Sequence, residues 1–303
     1  MGRDKSIGIA ALVGSTFIYS TYGIITRLIS DTFGAFSQNY YREIFSIALM
    51  VVFFGIYRNL WKKYERKDLV WIIVFALAGS SIMVFLYVSF NLLTLATTYF
   101  LYYSSMIITG YFLSWLLFKE RIVGPKLLSL PLVCIGIGIL YKFEVSANTM
   151  FPVATALVAG VLTGIYNVTS KKISGIYHPL QLYLPTSVFA FVIAIFGALL
   201  IREPLPHVSV TDTGTLWNTL SAAIALLSNT LIYIGFRKLP ASLASTLLPL
   251  EAIFAAIFGL FIYHETLSSA IFVSGACIII AAGLPDLISY FSKHENSNSN
   301  RSN

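Results

Sequence analysis

Charge is what this chain has least of. Only 11% of its 303 residues are Asp, Glu, Lys or Arg, and none falls between residues 69 and 118. A stretch of that length with no charged side chain excludes an ordinary soluble domain. Cysteine is nearly absent too. Cys134 and Cys277 fall inside apolar runs, where a thiol behaves as a small hydrophobe, and they carry no information on redox compartment. Catalytic signatures are missing. His264-Glu265 is followed by Ser268 where a zinc-protease motif needs its second histidine. There is no phosphate-binding lysine loop and no dinucleotide-binding glycine pattern, so neither an enzyme, nor a pump driven by ATP on this chain alone, nor a bound cofactor is expected.

What the chain has instead is apolar residues: 57% of the total, with a mean hydropathy of +0.80. As one helix, residues 69–118 would run about 75 Å, over twice the bilayer's hydrocarbon thickness of about 30 Å, so a break near Asn91–Thr97 is required. The same test along the chain predicts ten spans, near 7–27, 38–57, 69–90, 95–118, 123–142, 151–170, 180–201, 216–236, 241–263 and 268–290. The runs are continuously apolar, about twenty residues long and without strict alternation, which indicates helices rather than barrel strands. Basic residues ahead of the first run also fit a cleaved leader, but the corresponding segment 151–171 argues for a retained first helix. The tail 292–303 (SKHENSNSNRSN) has the composition of a disordered segment.

The spans repeat. Residues 95–140 align without gaps on 240–285, each an apolar span, a turn opened by a glutamate (Glu120, Glu265) and a second span punctuated by glycine. Upstream, Tyr22-Gly23-Ile24-Ile25-Thr26-Arg27 is echoed by Tyr166-Asn167-Val168-Thr169-Ser170-Lys171. The loops between the spans reverse their charge. Lys119, Arg121 and Lys126 face a second copy with no Lys or Arg, and the basic loop 58–68 faces 202–214. With both termini in the cytoplasm, sixteen of the twenty basic residues lie on that side; Arg27, Arg42, Lys142 and Arg202 do not. This is the positive-inside pattern of a duplicated unit with an odd number of spans, its second copy inverted. The net charge of +7 is thereby a topology signal rather than a nucleic-acid footprint. The expected fold is an all-α polytopic protein of the cytoplasmic membrane, ten transmembrane helices as two inverted five-helix repeats (1–145 and 146–291) followed by the tail. Inverted repeats are chiefly an architecture of transporters, so the expected partners are the bilayer and a small-molecule substrate; the oligomeric state is not legible.

Ionisable groups within spans are costly and point to function. Arg42 and Glu43 lie about one turn into the second span. They read either as a charge pair that meets a charged solute or as an interfacial pair that snorkels. Glu251, two residues after Pro249, sits about ten residues into the ninth span. A proline there loosens the helix beside a carboxylate, which suits a cation, a proton or a substrate ammonium. Glu120 and Glu265 suit a structural role, capping the helix that follows each turn. Mid-span tyrosines need polar partners. Tyr19, Tyr22, Tyr87, Tyr99, Tyr102, Tyr103, Tyr166 and Tyr233 therefore suggest a polar, aromatic-lined cavity fit for organic cations or planar solutes. Asn167 and Asn229 add polar positions. Small residues four apart (Gly160/Gly164, Gly110/Ser114, Ala252/Ala256) mark close helix contacts.

The segment ASLASTLLPLEAIFAAIFGLFIYHETLSSAIFVSGACIIIAAGL, residues 241–284, resembles the second EamA repeat of the drug/metabolite transporter superfamily: small residues, a proline-containing span, a glutamate at the turn, then a glycine-punctuated helix. Arg42 falls where the first repeat usually carries an arginine. Ser104 stands where a proline is expected, and Glu43 after the arginine is atypical. The resemblance implies that spans 1–4 and 6–9 surround a central cavity with spans 5 and 10 peripheral. It also implies transport of small metabolites, often efflux of amino acids or related compounds. A proton-coupled multidrug exporter and a non-transporting scaffold are the alternatives.

Overall fold

An uninterrupted apolar run in lipid satisfies its backbone only as a helix, and the computed structural model of this chain has no strand among its described residues. Those are 3–119, 128, 131–136, 138–139, 149–173, 175–209, 211–239 and 247–281. Glu120, residues 241–246 of the ninth span, the tail 292–303 and parts of the fifth and tenth spans lie outside them. The helices are α1 (Arg3–Ser20), α2 (Tyr22–Leu28), α3 (Ala35–Ile56), α4 (Leu69–Leu92), α5 (Leu95–Phe118), α6 (Met150–Ile173), α7 (Pro179–Leu200), α8 (Thr213–Lys238) and α9 (Leu250–Tyr263), then the shorter α10 (Ser269–Ala281). Seven described stretches, with α1 and α2 counted as one, are long and apolar enough to cross a membrane. Their outer faces carry apolar side chains such as Leu200, 82% exposed, and Phe261, 72% exposed, a surface suited to lipid and not to water.

Two spans depart from the sequence reading. The first is not one helix but bends at Thr21. The hydroxyls of Ser20 and Thr21 donate to the carbonyls of Phe17 and Ile18, each at 2.6 Å, and such back-bonding bends helices. The ninth, read as a continuous helix over 241–263, has a turn at Leu248–Pro249, and α9 begins only at Leu250. Glu251 is thus in the first turn of α9, directly after that break. The required break between the third and fourth spans is present at Leu93–Thr94, where Thr94 caps α5 by accepting from the Thr97 N–H at 3.2 Å.

Helix α4 packs on α6 and α7, α5 on α6, α1 on α8 and α9, and α3 on α7 and α8. Close approach of α5 and α6 depends on Gly160 and Gly164. A Cβ at Gly160 would lie 2.1 Å from the Tyr102 carbonyl oxygen, and one at Gly164 would lie 2.7 Å from Thr109. A Cβ at Gly110 would meet nothing within 4 Å, so no close approach requires a glycine there.

The loops gather at the two ends of α4. At its N-terminal end the Lys62 N–H donates to Gln181 Oε1 at 3.1 Å, and Gln181 Nε2 donates back to the Lys62 carbonyl. Pro185 within α7 leaves the Gln181 carbonyl without its helical donor, and the Tyr64 hydroxyl takes it at 2.7 Å. Burial pushes the Tyr64 hydroxyl up to about 12, so it stays a donor. At the C-terminal end of α4, Arg27 donates to the carbonyls of Phe90 and Leu93, both at 2.7 Å, and pairs with Glu265 at 2.6 Å. Glu265 in turn accepts from the Leu95 N–H at 3.1 Å. The expectation that Glu265 caps the helix after its turn is therefore corrected: it caps α5. His264 adopts the left-handed conformation, φ 52°, which turns the chain back, and Ser268 Oγ caps α10 instead, accepting from the Ile271 N–H at 3.3 Å. Arg202 (φ 53°) and Glu203 repeat the device: Glu203 accepts from the N–H groups of Phe36 and Ser37 at the start of α3, at 3.1 and 2.8 Å.

Candidate functional site

A cavity of about 160 Å³ lies midway along the bundle. All ten residues singled out as substrate-binding candidates line it: Tyr22, Arg42, Glu43, Tyr99, Tyr102, Tyr103, Tyr166, Asn167, Asn229 and Glu251. Spans 1–4 and 6–9 each contribute to its wall; none of the described residues of spans 5 and 10 does. Two of the mid-span tyrosines do not line it: Tyr87 is buried against Arg42, accepting from its Nη1, and Tyr233 is elsewhere, on a surface groove with Asp4 and Lys238.

The bend at Thr21 places Tyr19 and Tyr22 on either side of it with ring centres 5.6 Å apart. Tyr22 anchors across the bundle by donating to the Ser221 carbonyl at 2.9 Å. Tyr99, Tyr102 and Tyr103 form a contiguous ring set on α5, at 6.4 and 5.1 Å, and Tyr166 on α6 stacks on Phe75 at 4.1 Å. The two asparagines are only partly engaged. Asn167 touches the Met106 sulfur at 3.6 Å, and Asn229 donates to the Ala225 carbonyl of its own helix at 2.9 Å.

Arg42 and Glu43 are 3% and 1% exposed, so the interfacial snorkelling reading does not describe them. Arg42 Nε donates to Glu43 Oε1 at 3.0 Å and Nη2 pairs with the same oxygen. Nη2 also donates to Asn39 Oδ1 at 2.7 Å, and Nη1 to the Tyr87 hydroxyl at 2.6 Å. The second carboxylate oxygen, Glu43 Oε2, and the Asn39 amide nitrogen are buried with no hydrogen-bond partner among the described residues.

At Glu251, Oε2 lies 2.6 Å from the Tyr103 hydroxyl, which is also 2.9 Å from the Leu248 carbonyl. A phenol has one proton to donate. When Tyr103 donates to Glu251, the Leu248 carbonyl loses that donor. When Tyr103 donates to Leu248, Glu251 completes the contact only by carrying a proton itself. The break at Leu248–Pro249 therefore couples a backbone carbonyl, a phenol and a carboxyl into a unit with two proton arrangements.

The chain matches the EamA-like transporter family twice, over residues 6–142 and 150–284. It belongs to the EamA-like transporter family. A 135-residue stretch is 29% identical to proteins named threonine/homoserine exporter RhtA from Salmonella typhimurium strains SL1344 and LT2. That stretch spans 43% of this chain and 43% of those relatives' length. A crystal structure 16% identical to it shares the fold, with a TM-score of 0.60 over 94% of this chain and 96% of that one. In this EamA-like chain the sequence reading missed four polar cavity residues, Ser80, Thr163, Tyr183 and Thr186. Tyr183 sits four residues into its span and so looks like an interfacial aromatic; Pro185 two residues later was the available signal that the α7 backbone there is irregular.

Proposed function

We propose that this EamA-like protein is a secondary transporter that exports a small organic metabolite, an amino acid or a related amine, by alternating access. The observation that carries this reading is the cavity itself, walled by eight spans and holding a carboxylate at a helix break. Membrane proteins bury such groups where a substrate or ion passes. The pattern of helix contacts supports an inverted repeat of two five-helix units, 1–145 and 146–291: under that operation the first–eighth contact becomes the sixth–third, and the second–eighth becomes the seventh–third, and all four occur. The clustering of loops supports a topology with both termini and 58–68 cytoplasmic and 202–214 outside, in the cytoplasmic membrane.

Purified protein in liposomes, screened against labelled amino acids, amines and nucleosides, tests the reading; absence of flux for every solute would leave a scaffold. The Tyr103–Leu248 geometry favours a second element, proton coupling at Glu251. Glu251→Gln keeps the shape and most hydrogen bonds, and should abolish transport or its dependence on pH between 5.5 and 8.5 while thermal stability stays near wild type. Normal transport by that variant across the range rules out the coupling role. For topology, single cysteines at Lys63 and Ser209, with Cys134 and Cys277 replaced, should react with an impermeant thiol reagent from opposite faces. Reaction from one face overturns the inversion.

A further inference from the structure

The charge balance of the cavity is uneven. Its lining contains one cation, Arg42, and two carboxylates, Glu43 and Glu251, so with all three ionised it has a formal charge of −1. The cation is also not available. Four of the five guanidinium N–H groups of Arg42 are directed at Glu43, Asn39 and Tyr87, and a carboxylate seeking a two-pronged grip on the fork finds Glu43 already there. The opposite holds for acceptors. Glu43 Oε2 has no partner among the described residues, and Glu251 faces phenols, whose ring faces attract cations. Size sets the other limit: a protein cavity of about 150 Å³ holds a single benzene, and this one is about 160 Å³.

Resting on the transporter reading above, we infer that the cavity takes a small monocationic amine, one ring or a short chain bearing an ammonium group, and turns away the α-amino acid that differs from it only by a carboxylate. The ammonium sits against Glu251, the apolar part lies among Tyr19, Tyr22, Tyr102 and Tyr166, and the amine's missing carboxylate is what spares it from Glu43. An incoming carboxylate would have to displace Glu43 from Arg42 and leave that acid buried without its cation, a costly exchange in a low-dielectric site.

The test compares three probes on the reconstituted full-length protein: β-phenylethylamine, L-phenylalanine and L-phenylalanine methyl ester. All three carry the same ring and an amino group, and the ester keeps the amino acid's skeleton, one methyl larger, without its negative charge. The amine and the ester should bind and be carried with at least tenfold preference over the amino acid. Glu43→Gln, which removes the charge that occupies Arg42, should narrow that preference at least tenfold, a change that a merely structural role for Glu43 would not produce. Phenylalanine handled as well as or better than the amine overturns the inference and leaves the transporter reading intact. Rejection of all three while another solute is carried overturns the assignment of an amine. Rejection of every solute removes the transporter reading with it.

Discussion

Two arginine–glutamate pairs sit in this bundle and differ in what they leave over. Arg27 and Glu265 bind mainly backbone: the guanidinium takes two carbonyls at the end of α4, and the carboxylate takes the first N–H of α5. Buried helix ends need partners for their free N–H and C=O groups, and this pair serves the end of α4 and the start of α5 at once. Arg42 and Glu43 bind side chains, and among the described residues the second Glu43 carboxylate oxygen, beside the cavity, and the Asn39 amide nitrogen have no partner. Buried polar groups are nearly always satisfied. A pair that meets that rule holds the fold together; one that breaks it beside a cavity is suited to something that arrives and leaves.

The comparison is sharpest when each pair is broken in turn. Arg27→Ala strands a buried carboxylate and two carbonyls, and should cost about 3–5 kcal/mol of stability, read as a large fall in thermal midpoint in detergent. Arg27→Lys should recover little of it, since a single ammonium cannot copy a fork bound on three sides. An unchanged midpoint would show that this pair does not hold the α4 and α5 ends in place. Arg42→Lys keeps the charge and loses most of four contacts. The stability loss should be smaller, about 1–3 kcal/mol, while transport falls at least tenfold. A variant that is destabilised but transports normally, once corrected for folded fraction, would make this pair structural like the first.

The smallest expected effect lies outside the membrane, at His178. Its Nδ1 caps α7 by accepting from the Leu180 N–H at 3.3 Å, which only the neutral ring can do, and burial lowers its pKa. The unfolded chain therefore binds the proton more readily. The contribution of His178 to stability is complete above the ordinary value of about 6.5 and is lost as pH falls below it. His178→Asn retains a capping oxygen and should flatten the decline in thermal midpoint between pH 7 and 5; an identical decline in both proteins would exclude His178 as its source.

The helices were legible because lipid imposes a simple rule on length and charge: the break at 93–94 followed from the charge-free run 69–118 alone. Residues bearing on the cavity were legible for a related reason, since Glu251, Arg42 and the mid-span tyrosines violate that rule and violations cluster where polar space exists. What the sequence could not reveal depends on contacts between distant segments. Nothing local indicates that Glu265 would start α5 rather than α10, that the Tyr64 hydroxyl would replace the donor removed by Pro185, or that Arg42 and Glu43, adjacent in one helix, would be buried rather than held at an interface. The bend at Thr21 was visible in principle as a Ser20-Thr21 step, but serine and threonine are common in straight spans.

That bend sets up a lever. Tyr19 and Tyr22 flank the pivot at the cavity, and Arg27, six residues beyond it, holds the latch to Glu265. The arm is about 9 Å long, so swinging it by ~20° carries the guanidinium about 3 Å, more than an ion pair tolerates, while the rings at the pivot scarcely translate. A swing of that size would undo the Arg27–Glu265 pair, and the α4 and α5 termini would lose their partners in the same stroke.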